Sequence, residues 1–216
     1  VTLRPATSDD KRLVFEWLTS SNLTSSMLGE PDYPDTKIPT WQEFDADYLD
    51  HYFDGSAAQQ GQSFIILCNG IEVGAIHHNE IDPETHSTDL DIWLKDSKYT
   101  GKGIGAEAIR LLCDHLRVFH ACQEVIIAPS RRNSRAIKAY EKAGFQITDR
   151  ILPEKGRDYS DSVVITSLTA HVEGSLYDPN EISGIALYLD ANGNGRVDSG
   201  ETTLGESAFT EDDGAV

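Results

Sequence analysis

Tyr99-Thr100-Gly101-Lys102-Gly103-Ile104-Gly105 sets three glycines at alternating positions directly before Ala106 to Leu116, a run with helical periodicity. Glycines at this spacing let a ligand approach the main chain. The unpaired N–H groups at a helix start, with the helix dipole behind them, then supply donors and partial positive charge for a phosphate or pyrophosphate. A plain Gly-rich turn between strand and helix would use the same residues. A second chemistry lies in the carboxylates. Asp91 sits in the strand that delivers the loop, and alternation places it on one face with Asp89 and Trp93, opposite Leu90, Ile92 and Leu94. A carboxylate there serves as general base or as an anchor for an ammonium group; otherwise it is a solvated strand residue. Glu80 and Asp82, after the neighbouring strand, line the same cleft or belong to a charged hairpin loop. Upstream, Asp32, Asp35, Glu43, Asp45, Asp47, Asp50 and Asp54 alternate with Tyr33, Trp41, Phe44 and Tyr48. Carboxylates pair with ammonium groups and ring faces pack on a sugar, so this region reads as a receptor for an amino sugar, or as an amphipathic helix with its acids in water. His77, His78 and His86 raise a metal reading, but adjacent strand residues point to opposite faces, which argues against a shared ion.

The elements that must position these groups follow from periodicity and turn residues. Val1 to Pro5 reads as a strand, and Ser8-Asp9-Asp10 as the cap of a helix with Leu13, Val14, Trp17 and Leu18 on its apolar side. Pro31, Pro34 and Pro39 rule out a continuous helix from Ser20 to Thr40. Trp41 to Phe53 has helical spacing. Ser63 to Cys68 and Ile71 to His77 are strands joined by Asn69-Gly70, a two-residue hairpin turn. Asp89 to Lys95 is the strand before the glycine loop, and Glu124 to Ala128 is a short buried strand. A helix carrying Ala136, Tyr140 and Lys142 follows Pro129 to Ser134, and Ile147 to Leu152 and Ser162 to Leu168 close the sheet around the loop from Pro153 to Asp161. Periodicity gives an α/β or α+β class.

The order strand, Thr100-Gly-Lys-Gly-Ile-Gly105, helix, strand, then Asn133-x-x-Ala136-Ile-x-x-Tyr140-x-Lys142-x-Gly144-Phe145, resembles the acetyl-coenzyme A motifs of the GCN5-related N-acetyltransferase superfamily. Val1-Thr-Leu-Arg4, Glu16-Trp-Leu18 and Pro129 to Phe145 are most similar to the aminoglycoside 6′-N-acetyltransferases. The resemblance covers about residues 1 to 170. It implies a mixed, mostly antiparallel sheet with helices on both faces, and acetyl-CoA as the cofactor. It also implies cofactor contacts from Ile92, Trp93, Leu94, Thr100, Gly101, Lys102, Gly103, Ile104, Gly105, Ala106, Asn133, Ala136 and Tyr140, with Asn133 on the pantetheine arm and Tyr140 protonating the departing thiolate. Asn133 and Tyr140, seven residues apart, face one side of their helix. Arg131 and Arg132, just ahead of it, contact cofactor phosphates or form a solvated pair. Thr100 stands where the family usually has Arg or Gln, so weaker cofactor affinity is expected. Catalysis then falls to Asp91 and Tyr140, and acceptor binding to Tyr33, Trp41, Glu80, Asp82 and Asp91.

Composition limits the partners. The chain of 216 residues has a formal charge of −18, shared equally between residues 1–170 and 171–216. Such acidity disfavours nucleic acid and anionic membrane surfaces and draws in a small cationic amine, although acidic surfaces also serve solubility alone. Cys68, Cys113 and Cys122 are odd in number, lack metal-ligand spacing and read as reduced interior residues. No apolar run reaches membrane-spanning length and no secretory pattern opens the chain, so the expected setting is cytoplasmic, as a monomer or homodimer.

Residues 171–216 form an acidic tail. Asp190, Asn192, Asn194, Asp198 and Glu201 supply oxygens at positions 1, 3, 5, 9 and 12 of a calcium loop, with Gly195 at position 6 and the Arg196 carbonyl at position 7. Ile182 to Leu189 alternates like a strand and Thr202 to Phe209 is no helix. The segment resembles the calcium-binding β modules of bacterial surface proteins but is short for one, so it reads as a partial module or a fusion fragment; its alternative is a flexible acidic tail. The functions in view are acetylation of a polycationic small molecule, with an aminoglycoside first, acetylation of a protein, peptide or polyamine amine, and a non-catalytic calcium-stabilised binding module.

Overall fold

Alternating apolar residues build β1 (Thr2–Pro5), β2 (Gln62–Cys68), β3 (Ile71–His78) and β4 (Ser87–Leu94), which pair antiparallel in chain order in a computed structural model describing residues 1–150, 159–168, 186–188 and 203–206. The β2–β3 turn is Asn69-Gly70, both at positive φ. β5 (Glu124–Ile127) runs parallel to β4, and β6 (Phe145–Ile147) and β7 (Ile165–Leu168) complete a seven-stranded sheet of order β1-β2-β3-β4-β5-β7-β6. The sheet is thus mixed and mostly antiparallel, as expected.

Helices cover both faces because the strands are apolar on both. On one, Val14, Phe15 and Trp17 of α1 (Lys11–Ser20), Phe44 of α2 (Trp41–Asp47) and Tyr52 and Phe53 of α3 (His51–Asp54) pack on Ile65, Ala75 and Trp93. On the other, Ile109, Leu112 and Leu116 of α4 (Ile104–His120) and Tyr140 of α5 (Ser134–Lys142) pack on Phe64, Ile66, Ile76 and Leu90. Ile109, Leu112 and Leu116 are fully buried, each worth roughly 1.5–3 kcal/mol of hydrophobic stabilisation.

β3 carries both faces through adjacent histidines. His77 lies with Tyr48, Tyr52 and Trp93, whereas His78 faces His120 of α4, whose ring also meets His115. Both β3 histidines are buried, and the Nε2 atoms of His78 and His115 lack a hydrogen-bond partner. Among the described residues, no cluster of three or more His, Cys, Asp or Glu side chains is arranged to hold a metal ion.

Two expectations need correction. The helix read over Trp41 to Phe53 is broken between α2 and α3: Tyr48 ends α2 with extended ψ (φ −96°, ψ 83°). That turn carries its hydroxyl to His77, a tertiary contact that overrides helical spacing. The strand read from Ile147 onward instead spans Phe145–Ile147, with Thr148 to Arg150 outside any strand.

The chain divides into Val1–Thr169 and Ala170–Val216. In the second unit β8 (Ala186–Tyr188) and β9 (Thr203–Glu206) pair antiparallel. Asp190, Asn192, Asn194, Arg196, Asp198 and Glu201 lie outside the described residues. No helix among the described residues is long and apolar enough to cross a membrane.

Candidate acetyl-transfer site

A large cavity opens because two neighbouring strands separate. β4 pairs with β5 only from Ser87 to Asp89, opposite Glu124 to Ile126. Beyond that point Leu90 to Leu94 keep β3 on one side, and no described strand pairs with them on the other. A cavity of about 1000 Å³ occupies the gap, lined by Ile92, Trp93 and Leu94 from β4, Ile127, Ala128 and Pro129 from the β5 end, and the N-terminal turns of α4 and α5. Its unpaired β4 edge offers main-chain donors and acceptors to an extended amide-bearing ligand, in the manner of an added strand.

The glycine loop forms one end. Gly101 and Gly103 adopt φ of +72° and +82°, where a β-carbon is strained, and a β-carbon built at either would meet nothing within 4 Å. Gly103 is the N-cap of α4 and supplies no side-chain cap, so the first N–H groups of a 17-residue helix stay free for a ligand. This backbone cradle, without a side chain inside it, fits a pyrophosphate. Thr100, Gly101, Gly103, Ile104, Gly105 and Ala106 line the cavity, and exposed Lys102 stands outside the lining. On α5, Asn133 caps its own helix by accepting the Ala136 N–H at 3.0 Å, and both face the cavity. Tyr140 is buried yet on the lining, and desolvation, helped by the Asp91 charge, pushes its phenol well above the usual tyrosine range. It therefore holds its proton at neutral pH.

The other end is acidic. Asp91 is half-exposed to the cavity, and its Oδ2 lies 3.3 Å from Nε2 of the buried His77, which is also 3.1 Å from Tyr48 Oη. Asp89 accepts from Asn79 Nδ2 at 2.6 Å, and Asn79 Oδ1 in turn accepts from Tyr52 at 2.8 Å. Desolvation and then the Asp91 charge raise the Asp89 carboxyl above its ordinary range. Asp35, Asp47, Glu80 and Asp82 join Asp89 and Asp91 on the lining. Backbone N–H groups of Thr85 and Glu84 bond Asp82 and hold its carboxyl below the usual range.

Several sequence expectations are relocated. Trp41 is not on the cavity; it packs edge-on to Phe15 at 5.3 Å and stacks with Phe44, under the Arg12 guanidinium. Tyr33 is buried beneath Arg132 and against Tyr159. Both rings serve internal packing, so their proposed sugar contacts are withdrawn. Arg132 donates to Asp35, Asp161, Ser130 and the Asp32 carbonyl, so it is tied to protein partners rather than forming a solvated pair. Arg135, Lys138 and Lys142, at i, i+3 and i+7 on α5, a spacing that marks one helix face, also line the cavity. The cavity is thus lined both by six carboxylates and by cations, three of them along α5.

Residues 1–146 match the model of the Acetyltransferase (GNAT) domain family. The chain belongs to this family. This GNAT acetyltransferase is 29% identical over 159 residues, 68% of its own length and 74% of the relative's, to the aminoglycoside N(6′)-acetyltransferase type 1 of Klebsiella pneumoniae. It is 23% identical over 154 residues to the spermidine N(1)-acetyltransferase of Escherichia coli, covering 71% and 77% of the two chains. Among solved structures, AAC(6′)-Ib in complex with paromomycin and acetyl-CoA matches with a TM-score of 0.62 at 24% identity, over 82% of this chain and 98% of that one. The Vibrio cholerae spermidine N-acetyltransferase bound to CoA and spermine matches at 0.58 and 19%, over 76% and 93%. These likenesses show the fold, and the family makes the chain an N-acetyltransferase.

Proposed function

We propose that this N-acetyltransferase uses acetyl-CoA to acetylate a primary amine of a polycationic small molecule, foremost an aminoglycoside. The observation that carries the reading is the mixed lining of one cavity: a main-chain glycine cradle at a helix start and three α5 cations, and with them six carboxylates. A pyrophosphate-bearing donor suits the cradle and an acceptor with several ammonium groups the carboxylates. The named binding partners of the relatives, aminoglycosides and polyamines with CoA, support the same division.

The residues take simple roles. N–H groups of Gly101 to Ala106 receive the pyrophosphate, and the open β4 edge at Ile92 to Leu94 aligns the pantetheine amides, with Asn133 and Ala136 opposite. Asp91 accepts the ammonium proton and releases the nucleophilic amine. His77, hydrogen-bonded through Nε2 to Tyr48 Oη, lies beside this carboxylate with Nε2 3.3 Å from Asp91 Oδ2. Tyr140, kept protonated by burial, donates its phenolic proton to the departing thiolate. Glu80, Asp82 and Asp89 hold the acceptor's other ammonium groups. Acids on β4, on the β3–β4 connection and at the end of α2 surround the mouth, an arrangement suited to a branched amino sugar.

A linear polyamine is the second reading, favoured by the spermidine acetyltransferase likeness. Thiol release from acetyl-CoA across aminoglycosides, spermidine and a lysine peptide separates them. The highest kcat/KM is expected for an aminoglycoside with a primary 6′-amine; higher values for spermidine or peptide would replace it.

For the tail, calcium binding by Asp190 to Glu201 is supported by the ligand spacing, with the pairing of β8 and β9 on either side of it. Calorimetric titration of the full chain should give one calcium per molecule, and truncation after Ala170 should abolish that heat while leaving turnover intact. Heat retained after truncation, or lost turnover, would refute a separable calcium tail.

A further inference from the structure

Arg132 stands beside the catalytic cavity yet touches three stretches of chain far apart in sequence. Its Nη2 donates to the Asp35 carboxylate at 2.9 and 3.2 Å, its Nη1 to the Asp32 carbonyl, and its Nε to Asp161 Oδ2 and Ser130 Oγ at 3.1 Å each. The guanidinium plane lies over the Tyr33 ring, 4.6 Å from its centroid. Asp35 in turn accepts from Ser160, through its N–H at 3.0 Å and its hydroxyl at 2.8 Å, and Asp161 accepts from the Ser130 hydroxyl at 2.8 Å. Tyr159 reinforces the join by donating to the Met27 carbonyl at 3.2 Å.

Each end of this network is a wall of the cavity. Asp35, Thr36 and Lys37 line its acceptor side, whereas Asn133, the residue after Arg132, caps α5 and lines its cofactor side with Ala136. The strap from Gly29 to Lys37 has internal support of its own, with Gly29 N–H donating to the Thr36 carbonyl and Tyr33 N–H to that of Gly29. Without the guanidinium, Asp35 and Asp161 would face one another as unpaired like charges. Lysine would restore the charge but not the fork that reaches four residues at once. We propose that Arg132 is a positioning residue, a latch that fixes the acceptor-side strap to the N-cap of the cofactor helix, so that filling the cofactor end sets the shape of the acceptor end. The inference rests on the acetyl-transfer reading for its effect on kinetics and on hydrogen bonds alone for the latch.

Arg132→Gln and, as a gentler change, Arg132→Lys test it. KM for the best amine should rise about 10-fold in Arg132→Gln and less in Arg132→Lys, with kcat and coenzyme A affinity within about 2-fold of native. Asp35→Asn should reproduce the effect, and the double variant should be no worse than either single one, the signature of one shared interaction. Hydrogen exchange of the Gly29 to Lys37 amides should quicken in Arg132→Gln, and coenzyme A should slow it in the native protein only. Loss of coenzyme A affinity with unchanged amine KM would make Arg132 a cofactor ligand. Additive effects, or unaltered strap exchange, would also overturn the latch. Should no amine be acetylated and coenzyme A not bind, the functional reading fails, while faster strap exchange in the variant would still support the latch.

Discussion

The proposed cofactor end of the cavity is built largely from main chain and the proposed acceptor end from side chains. Gly101, Gly103, the uncapped start of α4 and the free edge of β4 present N–H and C=O groups whose positions are set by secondary structure. Asp91, Asp89, Glu80 and Asp47 are held instead by partners such as His77 and Asn79, which reach them across the sheet. The first design depends on glycines at positive φ and otherwise little on side-chain identity. In the second, one carboxylate can be exchanged for another residue without disturbing the fold, so acceptor choice can change while donor use stays constant.

Substitution inside the cradle should have the largest effect. Gly103→Asp puts a β-carbon on a backbone with φ of +82° and a carboxylate where N–H groups converge, so coenzyme A affinity should fall at least 100-fold by calorimetry. Native affinity would mean the loop does not hold the pyrophosphate. Next comes Asp91→Asn, which keeps shape and removes the proposed base: kcat should drop about 100- to 1000-fold with coenzyme A affinity unchanged. If turnover survives, Asp89 or Glu80 takes the role.

Tyr140→Phe is expected to lower kcat about 10- to 100-fold, because a thiolate must then find its proton from water. Normal kcat in the variant would show that the phenol only packs. Trp41→Ala is the sharpest negative control for the acceptor end. It should cost about 2 kcal/mol of stability in urea melts through lost packing on Phe15 and Phe44, and leave KM for the amine unchanged. A raised KM with native stability would return Trp41 to the binding surface.

The same division decides what the sequence could disclose. The cradle and the α5 motif were legible because their chemistry is local: glycines at alternating positions, an N-cap three residues before Ala136, a phenol two turns on. Asp91 was legible from strand alternation. The acceptor end was not, since ring and acid in a row do not say which ring faces inward. Trp41 and Tyr33 went into packing, and the turn at Tyr48 is imposed by His77, 29 residues away. Arg132 was misread for a similar reason: its partner Asp35 lies 97 residues upstream. The α5 cations are readable from their i, i+3, i+7 spacing, which marks one helix face but not what that face meets.

The histidines on the α4 side of the sheet carry a consequence for the medium the protein tolerates. Burial lowers the proton affinity of His78, whose pKa falls to about 4, and shifts His115 and His120 in the same direction. An unfolded chain regains ordinary imidazoles that titrate near 6.5. Between those limits the unfolded state binds protons that the native core refuses, so stability is full above about pH 7 and declines as acidity increases toward pH 4. His78 alone would account for about 3 kcal/mol over that interval at one proton and about 2.5 pH units. Mild acid should therefore destabilise the fold through a core that touches neither substrate, and thermal melting from pH 8 to pH 5 should show a falling midpoint.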